Sequence, residues 1–357
     1  MNKKICILHN SIKTVMIFRV PYIKTLLSMG YQVYCIAPND DEAATQKLKK
    51  MGVKVLFVSN RNYFSKWYGI NYNLLSLLVK KRFNIVVISH FITTFIFSLP
   101  SVIFSNKNII FIEGIGTFFT KKIYLKNILR FLLTTIGNKR IFMNSYERDL
   151  IGKKDDLILG GIGIDIDKFY FPASRFDKKE CINLLYVGRL VEDKGILDVI
   201  ILIRLLEEKN INFKLHVVGD VYPANPSSIR TDEIKTLEIE FGDKISFHGY
   251  VDDVREFYKK ADVLLLLSKH EGFPVVVMEA SASGLPSVCY AVPGCIDAIS
   301  QGVNGFLFEP GNIMEICELL VSVDFSAYRN KCINYAKNNF NQIEKNTIII
   351  DVIEEIK

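Results

Sequence analysis

The chain has 357 residues, too many for one small core, so two domains of ordinary size are expected. Hydrophobic residues at 49%, charged residues at 23%, and only 21 Gly and 10 Pro exclude disordered, collagen-like and disulfide-scaffold classes. The net charge of +7 leaves a nucleic acid, a membrane surface or an anionic ligand open, but it is unevenly spread: residues 1–165 carry 24 Lys/Arg against 9 Asp/Glu, and residues 166–357 carry 21 against 29.

Seven cysteines form no C-x-x-C pair and read as reduced core thiols of a cytoplasmic protein. The apolar run behind Lys3 and Lys4 is too short for a signal-peptide core. Residues 85–105 are uncharged and long enough to suggest a membrane span. The β-branched run Ile85-Val86-Val87-Ile88, followed by His90 and Pro100, favours a buried strand and then a helix.

In chain order, short β-branched runs alternate with helical patterns, the sequence form of βαβ units. Strands are expected near 4–8, 32–37, 53–58, 84–88, 108–112, 139–143 and 156–159 in the first half. Helices are expected at 15–29, 42–51, 71–81, 91–104, 124–135 and 146–151. The glycines at 160, 161 and 163 and the polar run 172–179 break the rhythm. It restarts with strands at 182–187, 213–218, 244–248, 262–267 and 286–289, and helices at 195–209, 230–241, 253–260, 274–283 and 312–321. Helical stretches at 325–340 and 342–356 follow the last strand. The reading is an α/β protein of two Rossmann-like domains, 1–165 and 166–340, with a helix in 341–357 packing back on the first.

Gly188-Arg189-Leu190-Val191-Glu192-Asp193-Lys194-Gly195 follows a strand and opens a helix. Two cations at such a turn can bring a guanidinium fork, an ammonium and backbone N–H groups onto one phosphate group. Charge and glycine at this spacing also fit a solvated loop. In Glu271-Gly272-Phe273-Pro274-Val275 through Glu279, Pro274 suits the first turn of a helix and Gly284 its stop. Glu271 then lies in the loop before the helix, free to accept from a ligand. Glu279 lies inside it, a buried acid that needs hydroxyl donors or a cation.

Taken together, G-R-L-x-x-x-K-G at 188–195, the Glu271/Glu279 pair in E-G-F-P, and Gly302 to Gly311 resemble the GT-B glycosyltransferases of family 4. The resemblance implies two Rossmann-like domains with parallel sheets facing across a cleft, and a retaining enzyme that uses a nucleotide sugar. It implies that Arg189 and Lys194 neutralise the donor diphosphate without a metal or other cofactor. Glu279 would accept from the ribose, and Glu271, with Gly272, Phe273, Pro274 and Val275, would hold the donor sugar. Tyr250 and Val251 match the loop that reads the base, and Gly294 in Pro293-Gly294-Cys295 precedes a helix facing the phosphates. A UDP-sugar is expected ahead of a GDP-sugar.

The first half resembles, through Asn10, Arg19 and the segment Glu113-Gly114-Ile115-Gly116, a bacterial subgroup that adds N-acetylgalactosamine or a related hexose to undecaprenyl-diphosphate-linked saccharides. Such enzymes serve O-antigen, capsule and protein-glycan assembly. The resemblance places His90 facing the reacting sugar, although a satisfied core histidine fits that position too. It places Glu113 and Gly114 on the acceptor side. Asp165-Ile166-Asp167 formally spells a metal motif but lies in an interdomain segment, not after a sheet strand. Gly114-Ile115-Gly116 and Gly161-Ile162-Gly163 lack the third glycine of a dinucleotide fingerprint.

Lys121, Lys122, Lys126 and Arg130 punctuate an apolar stretch with no acid between 118 and 140. Such a segment suits contact with an anionic inner-membrane surface or a core helix with solvated lysines. The expected place is the cytoplasmic face of the inner membrane, peripherally bound, with a lipid-linked saccharide as acceptor and other pathway glycosyltransferases as neighbours. An epimerase or phosphorylase on the same fold is the alternative. A nucleic-acid partner is disfavoured, because the cations are interleaved with aliphatic rather than stacking residues.

Overall fold

Among the described residues, the buried β-branched runs form thirteen strands in two wholly parallel sheets. The structure is a computed structural model that describes residues 3–59, 61–81, 84–115, 123–171, 181–223 and 225–356. It separates into two compact units, residues 1–162 with 342–357, and residues 163–341.

The first unit runs β1 (Lys4–Leu8), α1 (Ile12–Phe18), α2 (Val20–Ser28), β2 (Gln32–Pro38), α3 (Glu42–Lys50), β3 (Lys54–Val58), α4 (Tyr63–Lys80), β4 (Val86–His90), α5 (Ile92–Val102), β5 (Asn108–Ile112), α6 (Ile123–Ile136), β6 (Lys139–Phe142), α7 (Ser145–Ile151) and β7 (Leu157–Ile158). The second contains α8 (Ile166–Phe169), β8 (Ile182–Val187), α9 (Ile196–Glu208), β9 (Phe213–Val218), α10 (Thr231–Phe241), β10 (Ile245–Phe247), α11 (Arg255–Lys260), β11 (Val263–Leu266), α12 (Val275–Ala282), β12 (Ser287–Tyr290), α13 (Cys295–Ala298), β13 (Gly305–Phe308), α14 (Ile313–Ser322) and α15 (Arg329–Asn339). The last helix, α16 (Gln342–Glu355), belongs to the first unit, where it packs on α2 and Lys345 donates to the Leu159 carbonyl at 2.6 Å.

Both sheets wind outward from their first strand. The orders are β3-β2-β1-β4-β5-β6-β7 and β10-β9-β8-β11-β12-β13. Strand order reverses between β1 and β4 in one unit and between β8 and β11 in the other, with Ile5 opposite Val86 and Leu184 opposite Val263. Helices cover both faces, so β4, β5, β11 and β12 are buried at every residue instead of alternating. Loops leaving the carboxyl ends at such a reversal diverge and leave a crevice, where ligands of doubly wound sheets bind.

Besides the short helix α8, which the sequence reading lacks, the elements differ from it in three places. The single helix expected over 15–29 is two, α1 and α2, meeting at Arg19. Pro21 sits in the first turn of α2, where its missing N–H needs no partner. Helix α4 begins at Tyr63 and not near 71, set by a capping box in which Asn62 and Ser65 satisfy each other's backbone N–H groups. β13, which pairs with β12 from Ser287 opposite Gly305, lies inside the glycine-rich motif of 302–311 and escaped notice there. The uncharged stretch 85–105 holds strand β4 and helix α5; among the described residues no helix is long and apolar enough to cross a membrane.

Gly195 ends the turn after β8 at φ 75°, and a Cβ there would lie 1.9 Å from the Leu267 carbonyl oxygen. Gly302 has a similar φ of 72° with open space around it. Gly195→Ala should therefore cost more than about 2 kcal/mol, the left-handed penalty plus a backbone clash, and Gly302→Ala only about 1 kcal/mol. Urea-unfolding midpoints of the two variants measure the difference; equal midpoints would show that the 195 turn relaxes freely.

Candidate functional site

The carboxyl ends of β8 and β11 carry the charged motif of the second unit. After β8, a 3-10 turn (Glu192–Lys194) raises Lys194 at its end, and the Gly195 N–H closes the turn on the Glu192 carbonyl at 2.8 Å. The loop after β11 meets it. The Lys269 N–H donates to the Asp193 carbonyl at 2.9 Å, the Lys269 ammonium pairs with Glu192, and the Lys194 Nζ donates to the Glu271 Oε1 at 2.7 Å. Lys194 and Glu271 are both half-buried, so this pair is less screened than a surface bridge. Lys194 keeps two further N–H donors.

Arg189 is exposed. Its guanidinium lies over the Tyr222 ring at 5.3 Å, and among the described residues no carboxylate pairs with it. Its own carbonyl accepts from the buried Tyr186 hydroxyl at 2.7 Å, which fixes the backbone from which the side chain projects.

Gly294, at φ 83°, brings the start of α13 against the Glu271–Gly272 backbone; a Cβ there would stand 2.6 Å from both carbonyl oxygens. Phe273 stacks edge-on against Phe340 at 5.9 Å, Pro274 is the buried N-cap of α12, and Val275 is its first residue. Cys295 is wholly buried. Tyr250 is exposed and Val251 packs partly on the core, in a loop after β10 that is tied down where the Gly219 N–H donates to the Gly249 carbonyl. Glu279 lies on α12 and accepts from the Tyr258 hydroxyl at 2.8 Å. Burial pushes its carboxyl up to about 7, against that hydrogen bond. Tyr258, unremarked in the sequence, supplies the hydroxyl donor. Asp165 starts α8 and pairs with Lys168 at 3.2 Å.

The first unit holds a buried polar cluster at the carboxyl ends of β1, β4 and β5. His90 ends β4 and is fully buried. Its Nδ1 lies 2.7 Å from the Glu113 Oε1, and its Nε2 lies 2.8 Å from the Tyr22 hydroxyl. Arg19, 2% exposed at the junction of α1 and α2, ion-pairs with the other Glu113 oxygen. Burial, joined by the Arg19 charge, lowers the His90 imidazole to about 4 despite Glu113. Burial raises Glu113, but Arg19 and the His90 hydrogen bond outweigh it and hold the carboxyl at about 2. His90 is therefore neutral, donating from Nδ1 to ionised Glu113 and accepting at Nε2 from Tyr22.

His9, after β1, packs its ring against that of His90, centroids 5.3 Å apart and tilted by 44°, and accepts from the Ser11 N–H at 3.2 Å. Phe91 is held at φ 68°, a strained conformation for a non-glycine residue, with its ring edge-on to His9. Glu147 on α7 accepts from the Ile115 N–H at 2.7 Å and so holds the backbone that follows Glu113. Burial raises its carboxyl to about 7. Asn10, Glu113 and Gly114 are the partly accessible members of the predicted acceptor set; Arg19 and His90 lie beneath them. Tyr22, His9 and Glu147 were not singled out from the sequence, because they join the cluster from α2, β1 and α7 through long-range packing.

Lys121 and Lys122 lie outside the described residues, as does Gly116. On α6, Lys126 is half-buried and Arg130 exposed; Tyr124, Ile128 and Phe131 project outward while Leu129 and Leu133 enter the core.

His90 is lowered from an ordinary 6.5, so its contribution to stability is complete above that pH and is lost as the pH falls through about 4. The urea midpoint should drop between pH 7 and pH 5, and His90→Gln should show a smaller drop. An undiminished drop in that variant would assign the effect elsewhere.

Residues 167–339 match the family described as glycosyl transferases group 1. Over 84% of each chain, the sequence is 26% identical to the N,N'-diacetylbacillosaminyl-diphospho-undecaprenol alpha-1,3-N-acetylgalactosaminyltransferase of Campylobacter jejuni. It is 31% identical to the capsular polysaccharide biosynthesis glycosyltransferase CapM of Staphylococcus aureus, over 44% of this chain and 42% of that one. The fold is similar to that of the Anabaena protein HepE in complex with UDP, with a TM-score of 0.81 at 14% identity over 99% of this chain and all of the other. Two parallel doubly wound units, the family match over the second of them and the motif loops at the β8/β11 reversal agree: the chain is a glycosyltransferase of the GT-B type, and its residues 167–339 carry the group 1 family match.

Proposed function

We propose that the enzyme is a retaining family 4 hexosyltransferase that moves a sugar, N-acetylgalactosamine or a related hexose, from a UDP-sugar to an undecaprenyl-diphosphate-linked saccharide. The observation that carries the donor half is the Lys194 ammonium fixed on Glu271 at the β8/β11 reversal, five residues from an Arg189 that no carboxylate pairs with among the described residues. Charge builds on the departing diphosphate as the glycosidic bond breaks. Cations already held in place stabilise it without reorganisation at that moment. In this reading no metal is needed, Glu271 and the 272–275 backbone hold the sugar, Glu279 takes a ribose hydroxyl, and Tyr250 and Val251 frame the base. The acceptor hydroxyl attacks from the face the diphosphate leaves and passes its proton to a phosphate oxygen.

The acceptor half is supported by the Campylobacter relative, whose printed name gives an undecaprenyl-diphosphate-linked substrate and whose similarity runs through the first unit as well as the second. Asn10, Glu113 and Gly114 would meet the acceptor, with Arg19 and His90 fixing Glu113 from below. Arg130, Lys126 and the outward Tyr124, Ile128 and Phe131 of α6 fit a peripheral position on an anionic cytoplasmic membrane face.

The test is a screen of UDP-Gal, UDP-Glc, UDP-GlcNAc and UDP-GalNAc against synthetic undecaprenyl-diphosphate sugars in detergent, with the product anomer read by NMR. An α product formed equally in EDTA is expected. A β product, or activity that vanishes in EDTA and returns with Mn²⁺, would remove the retaining or the metal-independent part. Lys194→Ala and Glu271→Ala should each lower kcat by about 10²-fold or more with the fold intact; near-normal turnover in both would displace the site.

Glu279 supplies a second, independent check. A carboxyl raised to about 7 contributes stability that is lost as the pH rises through that value. Glu279→Gln should melt higher than the parent at pH 8, converge with it at pH 5, and bind UDP about tenfold more weakly, the worth of one charged hydrogen bond. A variant stabilised at pH 8 with unchanged UDP affinity would leave Glu279 a purely structural acid.

A further inference from the structure

We propose that the outward face of α4 is a docking surface that seats the first unit on an anionic phospholipid bilayer, with its aromatic rings at headgroup depth. This rests on the lipid-linked acceptor reading and adds to it a contact surface separate from α6. Ile70, Leu74, Leu77 and Leu78 hold α4 to the core, yet the opposite face is aromatic. Phe64, Tyr68 and Tyr72 follow one another at four-residue intervals, 72%, 57% and 62% exposed, with Tyr63 at 81% and Trp67 at 37% beside them. The Phe64 and Trp67 rings lie 5.9 Å apart, and those of Tyr68 and Tyr72 stack at 6.0 Å, so they make a continuous patch and not scattered exposures.

Two observations point to lipid. The rings are mostly tyrosine with one tryptophan, side chains with an apolar body and a polar tip that suit the boundary between headgroups and hydrocarbon. The surrounding sequence is also single-signed: residues 43–112 contain ten Lys/Arg and not one Asp or Glu. Arg61 stands just before α4 and Lys80 ends it, both exposed. An anionic surface satisfies this charge and the aromatic ridge at once. Because α4 follows β3, its first turns lie at the carboxyl edge of the sheet, the edge that carries His90 and Glu113. A bilayer at this face would meet the unit on the side where the acceptor set opens.

Trp67 is the chain's one tryptophan, so the full-length protein carries its own reporter. Its emission should shift to the blue on adding vesicles of phosphatidylglycerol and phosphatidylethanolamine, be quenched by bromine-labelled lipids of shallow depth, and stay unchanged with phosphatidylcholine alone. Phe64→Ser/Tyr68→Ser/Tyr72→Ser should lower vesicle co-sedimentation about tenfold or more, with an unchanged melting curve and unchanged turnover of a short-chain, water-soluble acceptor. Unshifted, unquenched Trp67 in a protein that still sediments with the vesicles would overturn the proposal, since another surface would then bind. Self-association of the parent that the triple variant abolishes, without any lipid response, would overturn it in favour of a contact between copies. Quenching of the unsubstituted chain decides the matter even if the variant fails to fold. Extension of lipid-linked sugars in detergent tests the acceptor reading separately: activity there with a silent Trp67 removes only this docking face, and an inserted Trp67 without such activity removes only the acceptor.

Discussion

The close approach of Gly195 to the Leu267 carbonyl is the constraint on which the arrangement of the second unit's charged loops depends. With no side chain at 195, the turn after β8 drops onto the end of β11, and three contacts then join the two loops: backbone 269 to 193, Lys269 to Glu192, and Lys194 to Glu271. Gly294 repeats the device from the other side, pressing the start of α13 onto the carbonyls of 271 and 272. A cation and a carboxylate 77 residues apart are thus held at a fixed place at a strand-order reversal. In the proposed reaction, preorganisation of this kind lets a few charges act on an anionic leaving group inside a domain whose net charge is negative.

The first unit solves a different problem at the equivalent place in its sheet. Its charges are buried and satisfy one another: Arg19 and His90 hold the two oxygens of Glu113, Tyr22 caps the far ring nitrogen, and Glu147 fixes the backbone just beyond. The cluster leaves Glu113 ionised and only partly accessible. His90 then orients the carboxylate from beneath, because both of its ring nitrogens are already engaged. Strain at Phe91, directly after His90, is the kind of local cost tolerated when packing over-determines a functional loop.

Much of the architecture was legible because fully buried parallel strands write themselves as β-branched runs. Strands β8 and β9 have the bounds read from the sequence, and most others agree within two residues. The exceptions have local causes. Four-residue β13 is hidden among glycines, the α1/α2 break depends on Pro21, and the first turns of α4 lack amphipathic periodicity because aromatic side chains face outward. That last misreading concealed the aromatic patch itself: a ring that faces water and a ring that fills a core look the same in one dimension.

The sequence alone determined the two doubly wound units, the charge asymmetry, and the motif in which Arg189, Lys194, Glu271 and Glu279 stand at set spacings. These are local properties, carried by hydrophobic period and by turn residues with restricted backbone geometry. Only the tertiary structure decided which charges meet. Lys194 pairs with Glu271 and not with its neighbouring acids, Glu279 finds Tyr258 and not a cation, and His90 is enclosed between Glu113 and Tyr22. The physical reason is that parallel sheets bring together strand ends that lie far apart in the chain, so partners are chosen by strand order and burial, which spacing along the sequence does not contain.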